Sequence, residues 1–479
     1  SPRQAEAYRL LEMGDVDGAC EILPLDELLE DIRRNRRFAK NATAPLETNV
    51  EELATRITAL NMKGLNNDTV AEIRRIYEEI YDTFCDTRNI GWSKLNDYAS
   101  FLEDQNDYTK AIKVAEKLNW YYSDPDNKVD EYDLGRLYNL LGVLYKAQNR
   151  SEEAEKYYLA AIEIRERLVE KNADAYEPAL ATSYNNAGAF YYGQNKPEKA
   201  EKYYLAAIEI CERLVEKNAD AYELYLAASY NNAGVFYKDQ GQSEKAEKYY
   251  LDAIDIYKRL AENNADAYEP DLATSYNNAG IFYSDHGQSD KAEKYFLDAI
   301  EIRESLVEKN ADAYEPDLAV SYNNVGVFYD DQNQPDKAEK YYLDAIEIYK
   351  RLVEKNADAY EPDLAMSYNN TGIFYAVHGQ PEKAERYLLA AIEIRKRLVK
   401  KNAAAYEPDL ATSYLSYYLL KKDKTYLDKA YEIAKRRQDD PRCKIIVEFA
   451  ESHKASLFFG KPRKRERLRR FFRPRNKKR

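Results

Sequence analysis

The chain is poor in the residues that chemistry at a site most often needs. Among its 479 residues there are three histidines, His286, His378 and His453, and four cysteines, Cys20, Cys85, Cys211 and Cys443. The cysteines are far apart and none has a metal-type spacing, so they read as reduced core or surface thiols. No phosphate-cradling glycine loop, zinc-type histidine pair or nucleophile elbow occurs. The expectation is a protein that is not an enzyme and holds no cofactor or metal. Apolar runs are too short to span a bilayer, and the first residues lack a basic-then-apolar signal pattern, which predicts a soluble, cytoplasmic chain. Glycine (16) and proline (15) are scarce for this length, whereas Ala, Glu, Lys, Leu and Tyr dominate, a composition suited to helices.

What is abundant is repetition. The segment Ala-Thr-Ser-Tyr-Asn-Asn-Ala-Gly ending at Gly188 returns with its tyrosine at Tyr184, Tyr230, Tyr276, Tyr322 and Tyr368, a spacing of 46 residues. The register extends back to Tyr138 and forward to Tyr414. A unit that cannot bury its own apolar face must stack on a copy of itself, so the fold is quasi-one-dimensional. The pattern divides the chain into a helical region at 1–93, a degenerate repeat at 94–136, six good repeats at 137–402, a degenerate repeat with capping helices at 403–460 and a basic tail at 461–479. Worn outer repeats suit a stack whose end faces meet water. His286 and His378 fall on one repeat position two units apart, too distant to cooperate. Cys211 stands where other repeats carry Arg165, Tyr257, Arg303, Tyr349 and Arg395, and reads as a tolerated variant.

Each repeat reads as two helices. Tyr184, Ala187, Gly188 and Tyr191 mark one face of the first; Tyr204, Ala207, Ile208, Cys211, Leu214 and Val215 mark the second. Pro197 suits a first helical turn, and in the following copies Gly241 and Gly287 end one helix while Ser243 and Ser289 cap the next. Gly188, Ala200 and Ala207 recur as Gly234, Ala246 and Ala253, then as Gly280, Ala292 and Ala299, where two helix axes must approach closely. Glu209 with Arg213 and Glu347 with Arg351 are four apart, a solvated outer face. Residues Ala5 to Leu23 read as a hairpin around Gly14 and Ala19, and Asp26 to Lys40, Val50 to Lys63 and Asn67 to Thr87 as further amphipathic helices.

The series Tyr276, Ala279, Gly280, Tyr283, Ala292, Phe296 and Ala299 resembles the tetratricopeptide repeat, over roughly Lys94 to Ala434. The resemblance implies an all-α superhelical solenoid of antiparallel helix pairs with an N-terminal helical region. An ordinary unit has about 34 residues, and the surplus here falls in residues 212–223, which read as a lengthened second helix plus a turn through Asn218. The longer unit with its Asn-Asn pair is similar to kinesin-light-chain-type repeats. Together with the entry region it also resembles the C-terminal part of bacterial signalling proteins in which a TIR or other effector domain precedes the repeats; the lack of an initiating Met at Ser1 fits a chain cut from something longer.

In such folds the positions of Asn185, Ala189 and Tyr192 line a concave groove. Asparagine repeats there as Asn185, Asn231, Asn277, Asn323 and Asn369, accompanied by Asn186, Asn232, Asn278, Asn324 and Asn370. An amide both donates and accepts, so this ladder can capture a peptide backbone; the same amides can instead tie adjacent helices together. Specificity is expected where the repeats disagree: Lys146-Ala147, Tyr192-Gly193, Lys238-Asp239, Ser284-Asp285, Asp330-Asp331 and Ala376-Val377, acidic in the middle and suited to a partner with a basic centre, or drift on a wet surface. Clamps for a C-terminal carboxylate carry Lys or Arg on this face, whereas Ala189, Val235, Ile281, Val327 and Ile373 stand here, which argues against a chaperone-tail clamp. Most of the 45 tyrosines fall on repeat core or turn positions and read as packing.

Residues 461–479 hold twelve Lys and Arg against Glu466 alone, a charge of +11, which leaves −24 on residues 1–460. Arg463, Lys464, Arg465, Arg467, Arg469, Arg470 and Arg473 are candidate contacts for nucleic acid or an acidic membrane surface. Docking on the protein's own acidic groove and a disordered solubilising end are the other readings. The leading expectation is a scaffold or sensor arm that binds a peptide or protein segment in its groove; a nucleic-acid or membrane protein led by its tail is the rival, and self-association through terminal repeats a third. On the ladder reading, converting Asn277, Asn323 and Asn369 to Ala keeps helicity and abolishes capture.

Overall fold

The computed structural model describes residues 1–456 apart from 39–43, 64–66, 88–89, 106, 128 and 439. The described residues form helices with one 3-10 turn at Trp92–Lys94 and no strand. The first helices are α1 (Pro2–Glu12), α2 (Val16–Ile22), α3 (Leu25–Phe38), α4 (Ala44–Lys63), α5 (Asn67–Thr87), α6 (Leu95–Asp104) and α7 (Tyr108–Tyr122). The long repeats follow as α8 (Glu131–Ala147), α9 (Ser151–Lys171), α10 (Ala173–Gly193), α11 (Pro197–Lys217), α12 (Ala219–Asp239), α13 (Ser243–Asn263), α14 (Ala265–Asp285) and α15 (Ser289–Lys309). Then come α16 (Ala311–Asp331), α17 (Pro335–Lys355), α18 (Ala357–Val377), α19 (Pro381–Lys401), α20 (Ala403–Lys421), α21 (Lys424–Arg436) and α22 (Pro441–Ser456). The chain separates into two compact units, Ser1–Ala233 and Gly234–Arg479.

Two 21-residue helices, a three-residue turn and a single asparagine fill each 46-residue period. The turn needs one residue in the left-handed region, and Asn195 (φ 56°), Asn333 (φ 55°), Gly241 (φ 70°), Gly287 (φ 69°) and Gly379 (φ 70°) supply it. The lone asparagine ends one helix and caps the next: Ala175 N donates to Asn172 Oδ1 at 3.3 Å and Ala267 N to Asn264 Oδ1 at 3.2 Å. The surplus over an ordinary unit is therefore shared between both helices, which corrects its assignment to the second alone. Ser243 and Ser289 do not cap either. Each is the first residue of its helix and bonds the following repeat, Ser243 Oγ lying 2.7 Å from His286 Nε2 and Ser289 Oγ donating to Gln332 Oε1 at 2.9 Å.

In five of the long pairs an aromatic ring lies on a glycine, at Gly142, Gly188, Gly234, Gly280 and Gly326, and in the pair of α18 and α19 Leu388 lies on Gly372. A Cβ at Gly188 would stand 2.8 Å from the Tyr204 ring, and one at Gly280 2.7 Å from the Phe296 ring. The helices approach this closely because the side chain is missing. Successive pairs are clasped by a repeated triad. Tyr283 Oη donates to Glu247 Oε1 at 2.8 Å, and Lys291 lies both 3.5 Å from that carboxylate and 4.7 Å from the Tyr283 ring centre, joining α13, α14 and α15. Tyr329 with Glu293 and Lys337, and Tyr375 with Glu339 and Lys383, repeat it.

The outer face is less solvated than its spacing predicts. Arg213 turns from Glu209 to the buried Glu177 at 2.6 Å, and Arg351 holds the buried Glu315 at 2.7 Å as well as Glu347 at 3.2 Å. In the first unit α1 and α2 form the expected hairpin and pack on α4. Arg3 reaches the buried Glu52 at 3.1 Å, and Arg56 donates to the carbonyl of Cys20 at 2.7 Å.

Gly280→Ala is expected to cost about 1–3 kcal/mol in chemical denaturation through overpacking on Phe296. Gly193→Ala, with nothing within 4 Å of the new carbon, is expected to be neutral or stabilising by up to about 1 kcal/mol. Burial, aided by bonds to carboxylates, raises Tyr191, Tyr283, Tyr329 and Tyr375 well above the ordinary tyrosine value, and burial raises Tyr276 to about 12. A raised folded-state pKa gives stability that is present below the unfolded value and lost above it. Melting temperature should therefore fall steeply from about pH 10 upward, with tyrosinate absorbance growing in step with unfolding.

Candidate functional site: the inner face of the first helices

In the second unit α14 approaches α16, and α18 approaches α20, directly across their repeats. The first helices thus line the inner side of that stack, where the asparagines sit. Asn323 Nδ2 donates to Ser367 Oγ at 2.6 Å, Ser413 Oγ donates to Asn369 Oδ1 at 3.1 Å, and Asn324 Nδ2 donates to Asn277 Oδ1 at 3.0 Å. The first unit repeats the pattern: Asn185 Nδ2 donates to Ser229 Oγ at 2.7 Å and Asn186 Nδ2 to Asn139 Oδ1 at 3.3 Å. Asn231, Asn277, Asn323, Asn324, Asn369 and Asn370 are buried, while Asn185, Asn186, Asn232 and Asn278 are half-buried. The bonded amides tie successive first helices together in a seam, the second of the two readings that the sequence leaves open. An amide bonded to the neighbouring helix is not available to a ligand without breaking the stack.

Not every rung closes: in the first unit Asn185 Oδ1 is buried without a partner. Asn323 Oδ1 and Asn370 Nδ2 have no hydrogen-bond partner, although the equivalent atoms of Asn277 and Asn324 meet at 3.0 Å. Both residues are more than nine-tenths buried.

The position shared by Arg165, Cys211, Arg303 and Arg395 also serves the seam. Arg165 Nη1 donates to the Ala179 carbonyl and to Ser183 Oγ, each at 2.6 Å. Arg303 reaches the Asp317 carbonyl at 3.0 Å and Ser321 Oγ, Arg395 the Asp409 carbonyl at 2.8 Å and Ser413 Oγ, and Cys211 Sγ lies 3.7 Å from Ser229 Oγ. Each therefore addresses the serine of the following first helix, so Cys211 is a shorter solution to one structural task. Burial lowers the guanidinium pKa of Arg165 to about 10 and depresses those of Arg303 and Arg395.

The variable pairs lie at the C-terminal ends of the first helices. Tyr192 is half-buried at the end of α10. In the second unit Lys238 Nζ is 3.5 Å from Asp239 and 3.8 Å from Asp285, Ser284 is half-buried, and Asp331 is exposed. Asp330 Oδ1 lies 2.7 Å from His378 Nε2. His378 occupies the position from which His286 and Gln332 bond a serine; Pro335 replaces that serine one repeat earlier, and the imidazole turns to Asp330 instead.

A second acidic row escapes a reading confined to the variable pairs. Asp271, Asn278 and Asp285 lie seven apart on one line of α14, as do Asp317, Asn324 and Asp331 on α16. Asp363 and Asp409 continue the row on α18 and α20, and Asp133 holds the same place on α8, whereas Ala179 and Tyr225 interrupt it between. Asp271, Asp285, Asp317 and Asp331 are exposed. The signal available in the sequence was the recurrence of Asp at this repeat position from residue 271 onward.

Sequence profiles described as tetratricopeptide repeat match residues 179–259, 225–305 and 317–397, and a second such profile matches 135–167, together about half of the chain. The chain belongs to the tetratricopeptide repeat family. Among solved structures it is similar to BtubC (BKLC) from P. vanneervenii, with 21% identity over 56% of this chain and 95% of that one and a TM-score of 0.38. It is similar to the apo quorum sensor NprR from B. thuringiensis, with 16% identity over 82% and 99% and a TM-score of 0.45. It is also similar to a signal transduction ATPase with a tetratricopeptide repeat sensor from Pyrococcus horikoshii, with 16% identity over 86% of this chain and 53% of that one and a TM-score of 0.46. No curated protein matches in sequence.

Among the described residues no cluster of His, Cys, Asp or Glu could hold a metal ion, and no helix is long and apolar enough to cross a membrane. Arg463, Lys464, Arg465, Arg467, Arg469, Arg470 and Arg473 lie outside the described residues.

Converting Asn277, Asn323 and Asn369 together to Ala is expected to lower stability by about 1 kcal/mol per substitution, read by denaturant unfolding. The ladder reading instead requires unchanged stability.

Proposed function

We propose that the protein is a non-enzymatic interaction module, a scaffold or sensor arm that holds a protein segment with a basic centre on the inner face of its second unit. The observation that carries this reading is the double acidic lining of the first helices: Asp285, Asp330 and Asp331 at one end, and Asp271, Asp317 and Asp363 at the other. Repeats that are otherwise near-identical change here, on a face where the seam already satisfies the stack. Lys238, Asp239 and Ser284 extend the same edge and would set the register of the bound segment. Opposed charge across such a face favours selection and fast encounter more than raw affinity, which suits a module that exchanges partners.

The test is selection of peptides from a random displayed library on the immobilised chain. Enrichment of Lys- and Arg-centred sequences is expected, with binding that weakens as salt rises. Asp285→Lys with Asp331→Lys should remove that binding and leave melting temperature little changed. Enrichment of acidic or purely apolar sequences, or indifference to both charge reversals, would sink the reading.

A further inference from the structure

We propose that the protein's own basic tail, residues 461–479, occupies the acidic inner face of the second unit and acts as a resident competitor for the partner segment. The inference rests on the reading above that this face takes a basic segment, and adds that one such segment is carried by the chain itself. Two observations point to this occupant.

The first is charge. The tail concentrates +11 in nineteen residues, and the lining presents Asp271, Asp285, Asp317, Asp330, Asp331 and Asp363 with Lys238 as the opposing cation at its edge.

The second is reach. Helix α22 ends at Ser456 and packs on α20. Two steps of about 10 Å between successive first helices carry α20 to α16, roughly 20 Å. The residues from 457 to 479 extend to as much as about 75 Å, so Lys461 onward can lie along α18, α16 and α14. A tether of this length holds the tail near its target at an effective concentration of about a millimolar, which populates contacts too weak to form between separate molecules.

The consequence is regulatory. A partner must displace the tail, so its apparent affinity is reduced by the fraction of chains whose face is already covered. Whatever draws the tail away, a polyanion or neutralisation of its lysines, opens the site.

The test uses the full chain, a chain ending at residue 460, and a fluorescent synthetic peptide of residues 461–479, with binding followed by anisotropy. The peptide should bind the shortened chain saturably and the full chain at least about tenfold more weakly, and both signals should fall with added salt. Asp317→Asn, Asp330→Asn and Asp331→Asn together in the shortened chain should weaken the peptide at least about tenfold; should that variant lose helicity, Asp317→Asn and Asp331→Asn singly carry the comparison. Equal affinity for the two chains, or indifference to the aspartate changes, overturns the proposal. So does a full chain that binds phosphatidylserine vesicles or an RNA homopolymer as tightly as the free peptide does, since the tail would then be unoccupied. The two readings fail separately: library peptides that bind both chains equally leave the partner reading standing and remove the competitor, whereas tail capture with no enriched library sequence does the reverse.

Discussion

A large apolar side chain laid against a glycine, a Tyr or Phe ring in most pairs and Leu388 in one, holds the two helices of a long pair at a distance that any Cβ would break, and asparagine–serine bonds then fix how the next pair lies on the first. These two contacts divide the work. The glycine contact, at Gly188, Gly280 and their equivalents, is apolar and sets the thickness of a repeat. The polar seam is directional, so it sets the rotation between repeats and with it which residues of the first helices face inward. A buried amide is costly when unpaired, so each rung penalises slippage along the stack.

This division decides what a ligand can use. Because Asn277, Asn323, Asn324 and Asn369 are committed to their neighbours, recognition falls to positions outside the seam. Those are the ends of the first helices, where the repeats stop resembling each other. The buried arginines belong to the structural side of the division: Arg303 and Arg395 are held by carbonyls and serines of the next helix. Aspartate, by contrast, recurs without a break from Asp271 to Asp363 in the second unit, whereas Ala179 and Tyr225 interrupt the row in the first. Architecture is repeated, and selectivity is written in the departures from repetition.

Much of the fold was legible in the sequence because periodicity reports directly on it. The 46-residue spacing, the paired helices, the close approach at Gly280 and the hairpin of α1 and α2 all follow from apolar spacing and small residues. Side-chain partners were less legible. Arg213 has a carboxylate four residues away, yet it chooses Glu177 on the partner helix α10, because spacing within one helix says nothing about the helix packed against it. Ser243 looked like a cap for the same reason and is a bond to His286. The asparagine row was visible, but whether its amides face a partner or a neighbouring helix depends on rotation between repeats. The acidic row at Asp271, Asp317 and Asp363 keeps the 46-residue period, but periodicity alone does not tell an aspartate on the inner side of a helix from one on its outer side.

The central claim is that the amides belong to the stack and leave the carboxylates to recognition. A double-mutant cycle on Asn323→Ala and Ser367→Ala, read by denaturant unfolding, tests it most directly. The account predicts a coupling energy of about 0.5–1.5 kcal/mol with binding of basic peptides retained in both single variants. Strictly additive effects, together with loss of peptide binding in Asn323→Ala alone, would contradict it.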